Sequence, residues 1–248
     1  MQNLSLNHQK KLRKLIQKKY REESRLFVVE GMRAVTDAMQ SNALNEVLVT
    51  EKYLSLHSFP QTDIPVYLVE DKLLCDLCDT RTPQGIAGIA SFVHHENYPE
   101  KAGFYLFLDD LSDPGNLGTI LRTADAVACD GVILTADTVE LYNPKVVRAT
   151  MGSLFHLPIY CVSDKKEALL NLKKIGCPVI ASALDGAVDF KEANIDGNCI
   201  VVVGNEAHGV SDTVLALADK RVKIPMPGNA ESLNAGVAAA VLLYEHLR

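Results

Sequence analysis

Val201-Val202-Val203-Gly204-Asn205-Glu206 is a β-branched run that ends in a glycine and two polar residues. It is followed by Lys223-Ile224-Pro225-Met226 and by Glu231-Ser232-Leu233-Asn234, which opens an Ala-rich apolar run reaching Arg248. β-Branched runs stopped by turn residues read as buried strands, and Ser or Asn ahead of an apolar run reads as a helix start. Where adjacent buried strands end in an α/β protein, loop backbone is free to hydrogen-bond a ligand rather than itself. The segment therefore predicts an α/β sheet with a pocket at its strand ends.

Upstream the same pattern repeats. From Phe104 onward, strands are expected at 104–108, 131–134, 158–162, 179–183, 200–203 and 220–224, with helices at 116–128, 144–153, 165–175, 211–217 and 232–247. This alternation predicts a mostly parallel sheet with helices on both faces. Residues 26–96 read as a smaller α/β unit, with strands at 26–30, 46–50, 66–69 and 86–92 and helices at 32–41 and 71–78. His94-His95-Glu96-Asn97-Tyr98-Pro99-Glu100-Lys101 is polar, contains proline and lacks periodicity, so the linker is expected there. The expected domains are residues 1–96 and 103–248.

The chain has 248 residues, 48% of them hydrophobic, which is enough for a sizeable core. No stretch has the roughly 20 consecutive apolar residues of a membrane span, and Met1-Gln2-Asn3-Leu4-Ser5 does not open a secretory pattern. A cytoplasmic protein is expected. The six cysteines are scattered in mostly apolar surroundings, as suits buried thiols in a reducing compartment. Cys75 and Cys78 form a lone C-x-x-C pair without the second pair that a structural zinc site needs, so no metal is expected. The net charge is −6, yet residues 1–25 carry eight Lys/Arg against Glu22 and Glu23. That segment is +6 and the rest of the chain is −12. A basic arm of this kind reads either as a solvated helix face or as a phosphate-binding surface. Neither a P-loop nor a G-x-G-x-x-G turn is present, which leaves nucleotide hydrolysis and dinucleotide binding unsupported.

A third segment, Leu108-Asp109-Asp110-Leu111-Ser112-Asp113-Pro114-Gly115-Asn116-Leu117-Gly118-Thr119-Ile120-Leu121-Arg122-Thr123-Ala124, precedes the two quoted first. In order and spacing the three resemble the sequence motifs of the SpoU (TrmH-like) RNA ribose 2′-O-methyltransferases, over roughly residues 105–247. Tyr142 to Ser153 and the turn Thr82-Pro83-Gln84-Gly85 also look like family segments. The resemblance implies an α/β fold whose C-terminal parallel-sheet domain carries a deep trefoil knot (α/β knot), plus a small N-terminal α/β RNA-binding domain of L30e-like type. It implies S-adenosylmethionine as cofactor, RNA as substrate and a homodimer. The basic start running into Leu26-Phe27-Val28-Val29-Glu30-Gly31 looks most like the ribosomal RNA branch. Transfer RNA, or a non-catalytic RNA-binding assembly factor, are the alternatives.

The candidate residues follow from both readings. Asn116 lies at a helix start just past a turn, and Arg122 lies about 9 Å further along at 1.5 Å per residue. Long helical side chains lean back toward the N-terminus, so the guanidinium reaches toward Asn116. Taken alone, Asn116 reads as a helix cap and Arg122 as the i+3 partner of Asp125. The resemblance makes Arg122 the catalytic arginine, acting as base or electrostatic group, and Asn116 its positioning partner. It gives Glu206 a bracing role and places Ser232 and Asn234 to orient the substrate or Arg122. Gly204, Ile224, Met226 and Leu233 correspond to cofactor-binding positions, where a missing side chain and apolar walls suit an adenosine ligand. Lys145 and Arg148 read equally as phosphate ligands and as solvated bases.

Overall fold

The computed structural model describes residues 2–58, 62–184 and 186–248, the side chains of Gln2 and Asn3 excepted. In chain order the elements are β1 (Gln2–Asn3), α1 (Leu6–Arg13), α2 (Lys18–Ser24), β2 (Leu26–Glu30), α3 (Met32–Gln40), β3 (Leu44–Val49), α4 (Glu51–Leu56), β4 (Val66–Leu68), α5 (Asp71–Cys78) and β5 (Ile86–Ser91). There follow β6 (Phe104–Asp109), α6 (Pro114–Ala126), β7 (Gly131–Thr135), α7 (Pro144–Thr150), β8 (Ile159–Val162), α8 (Lys165–Lys174), β9 (Val179–Ser182), β10 (Val188–Asp189), β11 (Cys199–Gly204), α9 (Asp212–Leu215), β12 (Lys220–Lys223) and α10 (Ala235–Glu245). The chain forms two compact units, one comprising the residues up to Val93 with Glu140–His156, the other comprising His94–Val139 with Leu157–Arg248.

The first unit holds a five-stranded sheet in the order β1-β4-β3-β5-β2. β1, β4 and β3 run parallel, and β5 is antiparallel to both β3 and β2. β2 alternates in the way a half-buried strand must, with Phe27 and Val29 fully buried between partly exposed neighbours. Leu12 and Leu15 from the basic segment join Leu48, Leu74, Leu77 and Ile89 in one core, so that segment is a packed part of the unit. Its two helices were not read from the sequence, because a run so rich in Lys and Arg shows little apolar periodicity. Residues 140–156 belong to this unit through named contacts. The Tyr142 ring stacks on Phe92 at 3.8 Å, its hydroxyl accepts the Val93 N–H at 2.8 Å, and Arg148 donates to the Cys78 carbonyl at 2.5 Å.

Arg21 is the polar centre of the first unit. It is 3% exposed, donates from Nε and Nη2 to the two Glu140 carboxylate oxygens at 2.7 and 2.5 Å, and from Nη1 to the carbonyls of Leu15 and Ile16. A lysine has no planar fork to match four acceptors. Arg21→Lys is expected to destabilise the protein by about 2 kcal/mol in urea titration, because buried acceptors lose charge-assisted partners.

The second unit is a seven-stranded sheet in the order β10-β12-β9-β11-β6-β7-β8, with every pairing parallel. β6 and β11 are buried along their whole length, as central strands of a parallel sheet covered on both faces should be. Side chains alternate between the faces: Tyr105, Phe107, Ile200 and Val202 pack with Leu169 and Leu172 of α8 and Val214 of α9. α10 packs on α6 and β11. The polar stretch read as a linker begins inside this unit, since His95 pairs with Tyr160 and extends the sheet edge beside β8. Among the described residues no helix is long and apolar enough to cross a membrane.

Candidate active site

From β6 the chain moves outward through β7 and β8, then returns on the opposite side to lay β11 against β6. The C-terminal ends of β6 and β11 thus form a topological switch point, where loops diverge and leave a crevice. Gly204 at the end of β11 is the register partner of Asp109 at the end of β6. A β-carbon on Gly204 would overlap the backbone of Gly209 and Val210. The space beside this glycine is filled by the chain's own loop, which returns through reciprocal Asn205–Gly209 backbone bonds at 3.0 and 2.8 Å. Open room for a ligand, the reason given from sequence, is not what demands glycine here.

Glu206 ties the loops together. Its carboxylate accepts from the Ser112 hydroxyl at 2.7 Å, the N–H groups of Ser112 and Asp113 at 3.0 and 3.1 Å, and the Asn116 amide at 2.9 Å. The Asn116 carbonyl oxygen accepts in turn from Asn234 Nδ2 at 2.8 Å. Asn234 caps α10, its own Oδ1 accepting from the N–H groups of Gly236 and Val237. Three loops distant in sequence are thereby joined through Asn116, Glu206 and Asn234. Asn116 is not the helix cap that sequence suggested. α6 starts two residues earlier with Pro114 in its first turn, and Asp113 caps it by accepting from Asn116 N–H, which frees the Asn116 side chain for Glu206. Likewise α10 begins at Ala235, leaving Ser232 and Leu233 in the preceding loop.

Burial works against the charge of Glu206, but the Asn116 amide and the hydroxyl and N–H of Ser112 outweigh it and hold the carboxyl down at about 2. A carboxyl depressed in the folded state contributes stability above its ordinary value of 4.5, and that contribution disappears as the pH falls toward 2. Glu206→Gln is expected to have a lower urea midpoint than the parent protein near neutrality, with the gap closing across this window. A gap that stays constant with pH would show that the charge of Glu206 plays no part.

A second network braces the β6 loop from its other side, and none of its members was singled out from sequence. Asp109, 1% exposed, accepts from Lys165 Nζ at 2.7 Å and from the Ser211 N–H at 2.7 Å. Asp110, in the left-handed region at φ 61°, accepts from Lys165 at 2.5 Å and from the Thr135 hydroxyl at 2.7 Å. Asn205 Nδ2 donates to the Asp110 carbonyl at 2.8 Å. Burial opposes the Asp110 charge, and the Lys165 and Thr135 bonds lower its pKa in spite of that; the same two carboxylates raise that of Lys165 against its burial. Asp109, Asp110 and Asn205 lay inside quoted motifs, whereas nothing in the sequence marks Lys165, more than fifty residues away.

Arg122 lies on α6, is exposed, and makes no hydrogen bond or ion pair with any described residue. Its guanidinium is available to a ligand. Ser232 is also exposed, with no side-chain hydrogen bond among the described residues. Ile224 and Met226 are half-buried and Leu233 is 38% exposed, so these apolar groups have surface to give to a ligand. Among the described residues no backbone N–H between Met226 and Leu233 donates within the chain. An exposed loop with unspent backbone donors and apolar side chains is the donor set that fits an adenosine-type cofactor, which needs edge hydrogen bonds and apolar cover.

The basic arm is less available than its composition suggested. Arg21 is structural, Arg13 pairs with Asp76 at 3.1 Å, and Lys18 and Lys19 face Glu22 and Glu23 one turn on. Lys10 and Lys11 are left without ion pairs among the described residues. Arg148 is committed to Cys78, and Lys145 is exposed. Cys78 is buried and its thiol pushed up to about 12 by that burial, while Cys75 Sγ donates to the Arg81 carbonyl.

Residues 103–244 match the SpoU rRNA methylase family, and residues 7–88 match the MRM3-like substrate binding domain. The chain is 34% identical over 236 residues to the 23S rRNA (guanosine(2553)-2′-O)-methyltransferase RlmP of Bacillus subtilis, covering 95% of this chain and 94% of that protein. It is similar to the crystal structure of an AdoMet-bound rRNA methyltransferase from Sinorhizobium meliloti, with TM-score 0.86, 30% identity and coverage of 99% and 96%. A crystal structure described as an RNA 2′-O ribose methyltransferase matches with TM-score 0.83 and 31% identity, over 100% of this chain and 98% of that one.

Proposed function

Because the chain belongs to the SpoU rRNA methylase family, we propose that it transfers a methyl group from S-adenosylmethionine to a ribose 2′-hydroxyl of RNA, with ribosomal RNA preferred over transfer RNA. The observation that carries this reading is the set of hydrogen bonds by which Glu206 and Asn116 gather three motif loops at the switch point, where α6 also carries Arg122, unpaired among the described residues. The cofactor supplies an electrophilic methyl group. Gly204, Ile224, Met226 and Leu233 hold it with loop backbone and apolar cover. A guanidinium is a poor proton acceptor, so Arg122 stabilises negative charge growing on the ribose oxygen and holds the neighbouring phosphate. Asn116, fixed by Glu206, and Ser232 and Asn234 orient the reacting groups.

The first unit recruits RNA in an L30e-like arrangement, supported by the substrate-binding-domain match. A trefoil knot in the C-terminal domain is supported by the family match over residues 103–244. Homodimerisation is supported by the exposed Val237 and Tyr244, seven residues apart on one face of α10, with the exposed Leu247 just beyond its end. The proposed setting is the cytoplasm.

The test is transfer of labelled methyl from S-adenosylmethionine to unmodified rRNA and tRNA, followed by nucleotide analysis. Label on a ribose 2′-oxygen supports the reading and identifies the RNA class. Cofactor binding without label on either RNA would point to an assembly intermediate as substrate, and absence of cofactor binding would leave a non-catalytic RNA-binding protein.

A further inference from the structure

Between α4, α5 and the loop that leads into β5 in the first unit lies a cavity of about 340 Å³, lined by Thr50, Lys52, Tyr53, His57, Arg81 and Gln84 among others. A wider depression of about 740 Å³ adjoins it and shares Thr50, Lys52 and Asp71. We propose that the smaller cavity seats one unstacked base of a single-stranded stretch of the RNA, with the flanking phosphate on Lys52 and Arg81. This deepens the methyltransferase reading and rests on it for RNA as the substrate.

Three observations favour a base with its phosphate. The first is an aromatic platform: the exposed His57 ring lies 4.7 Å from the buried Tyr53 ring at 33°, braced from behind. Single-stranded RNA is bound by stacking splayed bases on such rings and bonding their edges. The second is the state of the cations. Along the basic arm Arg13, Lys18, Lys19 and Arg21 are paired within the chain and Lys10 and Lys11 line neither cavity, whereas Lys52 and Arg81 stand at this one with no ion pair or side-chain hydrogen bond to a described residue. They are free to meet phosphate. The third is a polar edge. The exposed Gln84 side chain, which crosses the Gly31 α-carbon, has both donor and acceptor unspent among the described residues, and Asp71 and Thr82 stand at the same wall. Amide and carboxylate groups are the side chains that read base edges. The wider depression is a weaker candidate, because Glu51, Glu70 and Asp71 there balance Arg13, Lys52 and Lys72.

The experiment measures equilibrium binding of unmodified 23S rRNA and tRNA transcripts to the full chain, the parent protein beside His57→Ala, Arg81→Ala and Gln84→Ala. All three positions are exposed, and unchanged thermal midpoints would show that the variants are folded. His57→Ala and Arg81→Ala are each expected to weaken binding of the preferred transcript about tenfold, as loss of a stacking or phosphate partner does. S-adenosylmethionine affinity should stay unchanged, and in methyl transfer KM should rise while kcat holds. Crosslinking of 4-thiouridine-substituted transcript to the 50–85 segment in the parent protein, lost in His57→Ala, would support the same seat. RNA binding within twofold of the parent in all three variants overturns the proposal and leaves the cavity to a protein partner. Parent protein that binds RNA through these residues yet neither binds S-adenosylmethionine nor transfers methyl would instead overturn the methyltransferase reading and leave the base seat standing.

Discussion

Arg122→Ala is expected to lower the rate of methyl transfer at saturating RNA and cofactor by about 10³-fold, while S-adenosylmethionine affinity changes by no more than a few-fold. The first part follows from removing the cation proposed for the site, unpaired among the described residues, since deleting a preorganised group that stabilises developing charge costs about 10²- to 10³-fold. Loss of the phosphate contact adds to KM. The second part follows from geometry: the proposed cofactor seat is built from the 204–210 and 224–234 loops, and Arg122 makes no bond to either among the described residues. An exposed side chain without partners also leaves the fold intact when it is truncated. Single-turnover transfer and calorimetric cofactor titration check the two halves. A large fall in cofactor affinity would contradict the role given to Arg122.

Gly204→Ala is expected to destabilise the protein by about 3 kcal/mol or more and to abolish cofactor binding. The obstruction is backbone rather than a flexible side chain, because the added methyl would occupy the position of Gly209 and Val210. Overpacking usually costs about 1–3 kcal/mol when side chains can move aside, and main chain moves aside less readily. Relief requires opening the Asn205–Gly209 turn, which carries Glu206, and with it the bonds to Ser112, Asp113 and Asn116. Urea unfolding together with cofactor titration measures both effects. An alanine variant of parental stability would mean that the loop closes in some other way.

Much of the second unit was legible because parallel strands buried on both faces must be continuous apolar runs. Phe104–Asp109, Gly131–Thr135 and Cys199–Gly204 stand out on that ground alone. Helix starts were less so. Asp113-Pro114 and Asn116 all suit a helix start, and only the fold reveals that Asp113 takes the cap while Asn116 turns to Glu206. The two-residue strands β1 and β10 and the six-residue α4 are too short to show a period. The chemistry was half legible. Motif residues could be named, but Lys165 joins Asp109 and Asp110 only because parallel topology brings the start of α8 beside the end of β6. The Arg21–Glu140 pair, 119 residues apart, has the same cause, and it turned a cation that looked free for RNA into part of a core.

The clamp at the switch point sets an order on biosynthesis. Asn116 emerges early in synthesis of the second unit, yet its first partner lies 90 residues later and its second 118 residues later. Contacts of such sequence separation form late, since a long loop must close before they repay the lost chain freedom. The strands can assemble progressively, but the proposed methyl-donor seat is complete only after Asn234 has been made and α10 has docked. On the proposed function, a nascent chain stalled before that point would display its first unit without any capacity to modify RNA held there, so competence would arrive in a single late step.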